Sequence, residues 1–71
     1  MSDPVEVPIR DEVIRLGQFL KLANLIDSGS DAKALVRDGS VCVNGVVETR
    51  RGRQLAKGDV VTLRGLTARV G

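Results

Sequence analysis

The spacing of hydrophobic and polar positions changes along this chain, and each change marks an element. Val5, Val7 and Ile9 alternate with Glu6, Pro8 and Arg10. A period of two predicts a half-buried strand, and Pro8, which has no amide proton, restricts it to a sheet edge. Beyond Asp11-Glu12 the period lengthens. Leu16, Phe19, Leu20, Ala23 and Ile26 line one side of a helix, Leu22 widens the stripe, and Gly17, Gln18, Lys21 and Asn24 share the other side. The stripe reads as core, because Phe19 is the sole aromatic residue able to anchor so small an interior. The helix is expected to stop between Leu25 and Asp27, where Asp27-Ser28-Gly29-Ser30 supplies turn formers.

A second helix is expected to start at once, since Ser28 with Asp31 three residues on forms a variant capping box. It runs to about Asp38, buries Ala32, Leu35 and Val36, exposes Lys33 and Arg37 one turn apart, and ends at Gly39 in a left-handed cap. Strands Val41–Val43 and Val46–Glu48 flank Asn44-Gly45, the signature of a type I′ hairpin turn. Thr49 to Lys57 contains four bases and no acid and reads as a loop. Lys57-Gly58-Asp59 then turns into a strand at Val60 to Arg64, and Gly65-Leu66 leads to a last strand at Thr67 to Val70. The predicted fold class is α+β: a two-helix hairpin packed on a small antiparallel sheet, one domain spanning residues 1–71.

Composition narrows the chemistry. A chain of 71 residues can bury only a small core and hold a stability margin of a few kcal/mol. The single cysteine, Cys42, excludes an internal disulfide framework, and the lack of histidine leaves a conventional zinc site without ligands. No apolar run approaches the ~20 residues of a membrane span, and MSDPVEVPIR has neither the basic start nor the apolar stretch of a signal peptide. A monomer in the reducing cytoplasm is expected, with no membrane partner. Catalysis finds little support. Cys42 lies mid-strand among valines as a small buried thiol, Asp27, Asp31 and Asp38 sit at helix ends where capping explains them, and neither GxGxxG nor a Walker loop is present. The chain is not read as an enzyme, and no metal, cofactor or small-molecule substrate is expected.

Charge points to a different role. The net charge is only +2, but residues 1–31 carry three bases against six acids and residues 32–71 carry eight bases against three acids. One end of the molecule can therefore present a positive field. Three places could hold an anion: the amides around Gly29, Ser30 and Asp31, the Lys33/Arg37 face, and the loop with Arg50, Arg51 and Arg53. With Glu48 the sole nearby acid, the three arginines are expected to face solvent without internal partners. Phe19 is committed to the core, so no aromatic platform remains for stacking single-stranded bases. A basic, aromatic-poor surface suits the phosphates and sugar hydroxyls of folded RNA, although composition leaves DNA open.

The segment from Ile14 to Leu63 resembles the S4 RNA-binding domain. The resemblance rests on Arg15-Leu16-x-x-Phe19-Leu20, Ser28-x-Ser30-x-Ala32 with Gly39, Val41-x-Val43-Asn44-Gly45, and Lys57-Gly58-Asp59-Val60. The N-terminal strand, the Leu16–Lys21 variant and the Arg50–Arg53 loop are similar to small stand-alone bacterial members of the YaaA and YbcJ type. They are less like the domains appended to pseudouridine synthases or tyrosyl-tRNA synthetases. The resemblance implies an αL-type motif that binds structured RNA, ribosomal RNA or a ribosome-assembly intermediate, with the second helix and the loop after the β-hairpin. It nominates Ser28, Ser30, Lys33 and Arg37 on the helix, Arg50, Arg51 and Arg53 on the loop, and Arg15 beside them. Gly17 replaces a polar residue, often Asp, and Gly29 replaces a common basic residue, which implies a weaker hold through the helix start. Two other readings compete. A β-grasp sulfur carrier shares the size and the Gly-Asp-x-Val strand but needs a Gly-Gly tail, where this chain has Arg69-Val70-Gly71. A protein adaptor would place the basic face on an acidic partner.

Overall fold

Short valine-rich strands build the main sheet, and its three central strands turn alternate residues inward. A computed structural model describes residues 4–26 and 29–71, with backbone alone for residues 29–31. In chain order the elements are β1 (Val5–Val7), β2 (Val13–Arg15), α1 (Leu16–Leu22), α2 (Gly29–Arg37), β3 (Val41–Val43), β4 (Val46–Val47), β5 (Gln54–Ala56), β6 (Val60–Leu63) and β7 (Leu66–Val70). Five strands form one sheet in the order β1-β7-β6-β3-β4. Val41 faces Leu63, and Val43, Val61 and Ala68 align across three strands. All five are buried, as the alternation of side chains on a pleated strand requires. Cys42 pairs with Thr62 between these positions, on the opposite face. It is half-buried there, which corrects the expectation of a buried thiol.

The sheet is antiparallel as expected at every pair but one. β1 runs parallel to β7, with Val5 opposite Ala68 and Val7 opposite Val70. The hairpins inside the sheet are tied by tight turns that force antiparallel pairing. The chain between β1 and β7 includes both helices and the other strands, so no turn dictates direction there. The edge position of β1, followed by Pro8, is as the sequence predicts.

A second, two-stranded sheet departs from the single sheet that the sequence pattern predicts. β2 pairs antiparallel with β5, placing Ile14 opposite Leu55, and Leu55 is fully buried. A third of the segment expected to be a basic loop is therefore a strand that reaches back to the residues before α1.

Helices α1 and α2 end in the same way. In α1, Asn24 adopts φ 60°, the Asn24 amide donates to Lys21 O at 3.1 Å and the Leu25 amide donates to Leu20 O at 3.0 Å. In α2, Gly39 adopts φ 84°, with Gly39 N–H to Val36 O at 3.3 Å and Ser40 N–H to Leu35 O at 3.1 Å. Both are Schellman motifs, in which one left-handed residue turns the last carbonyls' partners back onto the helix. The Gly39 cap is as expected. The Asn24 cap ends α1 earlier than the predicted Leu25–Asp27, and Leu22 is 52% exposed instead of widening the buried stripe. Phe19 is completely buried with Leu16 and Leu20, against Ala32 and Val36 of α2 and the inner face of the sheet. The predicted capping pair lies outside the described residues at Ser28 and outside the described side chains at Asp31.

Candidate functional site

The β2–β5 pairing draws the arginine loop onto the start of α1. The Leu16 amide donates to Arg53 O at 2.8 Å and the Gly17 amide donates to Arg51 O at 3.0 Å. Arg15 occupies the cap position without a side-chain capping bond, so loop carbonyls do the work a capping side chain would otherwise do for the helix's first amides. Where loop and helix meet lies an open hollow of about 370 Å³, lined by Arg15, Gly17, Gln18, Lys21, Ala32, Arg51 and Gly52. Its lining holds three cations and no acid. Gly52, with no heavy atom within 4 Å of where a Cβ would stand, leaves room for a ligand's backbone to approach, and Gln18 adds an amide that can donate and accept.

Glu48 organises the other side of the loop. It is 7% exposed, and its carboxylate accepts from the Thr49 amide at 3.0 Å, the Arg50 amide at 3.1 Å, Arg50 Nε at 3.1 Å, Arg50 Nη2 at 3.3 Å and Arg53 Nη1 at 3.1 Å. The expectation that all three arginines lack an internal partner is thereby corrected. One carboxylate with two oxygens can hold two guanidinium groups. Hydrogen bonds from the Arg50 side chain, then from its backbone amide, lower the Glu48 pKa from an ordinary 4.5 to about 2, against the opposing effect of burial. The same contact raises the pKa of Arg50. The Arg50 side chain remains 77% exposed and that of Arg53 32%. Arg51 is exposed, and no acid among the described residues forms an ion pair with it.

The nominated residues thus fall into groups. Arg15 and Arg51 share the hollow. Arg50 and Arg53, on either side of its lining residues Arg51 and Gly52 in sequence, pair with Glu48. Lys33 and Arg37 are exposed on α2, which reaches the hollow through Ala32. Ser30 lies in the first turn of α2, and Ser28 lies outside the described residues. Sequence reasoning assigned Gln18 and Lys21 to an ordinary polar face. Their spacing held the missed signal, because Arg15, Gln18 and Lys21 recur every three residues from the helix start and so stack along one side.

Residues 7–71 match the S4 domain family. A Bacillus subtilis (strain 168) protein bearing the name "Probable ribosome maturation protein RlbA" is 46% identical over 65 residues, 92% of this chain and 89% of that protein. YbcJ of Escherichia coli (strain K12) is 35% identical over 57 residues, 80% of this chain and 81% of that one. The solution structure of YbcJ from E. coli, described as revealing an αL motif involved in RNA-binding, matches with a TM-score of 0.73 and 31% identity over 99% of this chain and 90% of that chain. The 30S ribosomal protein S4e of Thermoplasma acidophilum shares the fold, with a TM-score of 0.65 and 22% identity over 84% of this chain and 32% of that chain.

Proposed function

The chain belongs to the S4 domain family, and from that membership together with the acid-free hollow we propose that it binds structured RNA through phosphate and shape contacts. The observation that carries this reading is the convergence of Arg15, Lys21 and Arg51 around one hollow. Three cations lining one hollow suit phosphate groups, and Arg50, Arg53, Lys33 and Arg37 add positive charge on the loop and on α2. Gln18 is the one amide side chain in the hollow. Such a surface reads backbone geometry and 2′-hydroxyls more than base edges. The name of the B. subtilis relative supports ribosomal RNA or a ribosome-assembly intermediate as the target, and the reading extends to a cytoplasmic monomer that performs no chemistry of its own.

Titrating a hairpin RNA, the same hairpin as DNA, and a poly-pyrimidine strand at one salt concentration tests this. The hairpin RNA should bind most tightly, and its affinity should fall with salt. Tighter binding to the single strand or the DNA would overturn the structured-RNA reading.

A further inference from the structure

Gly17 lies where the start of α1 meets the arginine loop. A methyl group at this position would sit 2.7 Å from Arg51 Cγ and 3.2 Å from Arg51 Cδ, while the Arg51 carbonyl would stay at an ordinary 3.6 Å. The loop backbone is fixed there by the hydrogen bond from the Gly17 amide to Arg51 O. The side chain of Arg51, exposed and held by no described acid, is the part free to move. Gly17 is otherwise an unfavourable choice. It occupies a helix, has no positive φ to require glycine, and carries more unfolded-state entropy than alanine would.

We propose that Gly17 is a positioning residue for RNA binding: its missing side chain lets the stem of Arg51 lie across α1, which sets the guanidinium at the hollow beside Arg15 and Lys21. This rests on the RNA-binding reading of the hollow and adds the residue that sets its geometry. Stability and binding then respond to Gly17→Ala in opposite directions. The melting temperature rises by about 2–6 °C, the effect of removing a glycine's conformational freedom in a domain this small. Affinity for a hairpin RNA falls roughly tenfold, the loss expected for a displaced charge-assisted hydrogen bond, and the log–log salt slope falls by about 0.7–0.9.

The experiment compares the full chain with Gly17→Ala, Arg51→Ala and the double variant, by thermal melting and by titration of one hairpin RNA at several salt concentrations. Support comes from Gly17→Ala melting higher yet binding as weakly as Arg51→Ala, with the double variant no weaker than either. Weak binding by Arg51→Ala beside wild-type binding by Gly17→Ala overturns the inference alone. If the unaltered protein does not bind the hairpin, the RNA reading fails and the inference with it; if it binds and Arg51→Ala binds as tightly, RNA binding stands and the inference is overturned. A Gly17→Ala protein that melts lower also overturns it, since the glycine would then be required by packing.

Discussion

Glu48 is the one buried acid among the described residues, and it divides three neighbouring arginines into two kinds. Arg50 and Arg53 share its single negative charge before any ligand arrives, whereas Arg51 pairs with no acid among the described residues. Arg51→Ala is therefore expected to flatten the salt dependence of RNA binding by a full contact, about 0.7–0.9 in the log–log slope, and Arg53→Ala by less. Equal slopes for the two variants would remove the distinction. Glu48 also gives folding a pH signature. Its pKa in the folded protein, about 2, lies below the ordinary 4.5, so its contribution to stability is fully present above that ordinary value and is lost as pH falls through the folded one. Glu48→Gln should melt below the unaltered protein at neutral pH, with the gap closing between pH 4.5 and about 2. A gap that stays constant down to pH 2 would mean that the charge is not what stabilises the loop.

At the scale of elements, two turns remote in sequence are clasped together. Asn44 in the β3–β4 turn donates from Nδ2 to Asp59 Oδ1 at 3.2 Å and accepts the Val60 amide at 3.0 Å, while Asp59 Oδ2 accepts the Ala56 amide at 2.9 Å. Asp59→Ala should cost about 1–3 kcal/mol in denaturant unfolding, because it strips a charged acceptor from an amide and a side chain at once. A change below about 0.5 kcal/mol, the range of ordinary surface substitutions, would show the clasp to be incidental. Such motifs also explain what could be read in advance. Asn44-Gly45 and Gly39 were legible because positive φ is a local demand that few residues meet. The same demand ends α1 at Asn24, but asparagine also fits a helix's polar side, and the ambiguity hid the cap. Strands β2 and β5 each turn a single residue inward, Ile14 and Leu55, so neither shows an alternation of its own, and the two meet only when paired across the chain. With that pairing unseen, the hollow could be read only in part. Arg15 and Arg51 stood out by charge, while Gln18 and Lys21 needed the loop to be docked beside them.

Across the whole molecule, one small core carries every surface described above. Phe19 is wholly buried where both helices meet the sheet. Phe19→Ala should cost about 3–5 kcal/mol, comparable to the stability of a domain this small, and leave the chain without a cooperative thermal transition by circular dichroism. A sharp transition near that of the unaltered protein would show that the core can collapse around the gap. The parallel pairing of the first strand with the last reaches further, into the order of assembly. Glu6 and Arg69, linked by a side-chain hydrogen bond at 3.3 Å, are 63 positions apart, and on the ribosome β1 must wait for nearly all the intervening chain before its partner exists. Closing so long a loop favours the local hairpins first and the β1 edge last. The Gly71 amide, which donates to Val7 O at 2.8 Å, should then exchange with deuterium sooner than the amides of β3 and β6. The β1 edge would open and reseal while the helix–loop hollow stays intact.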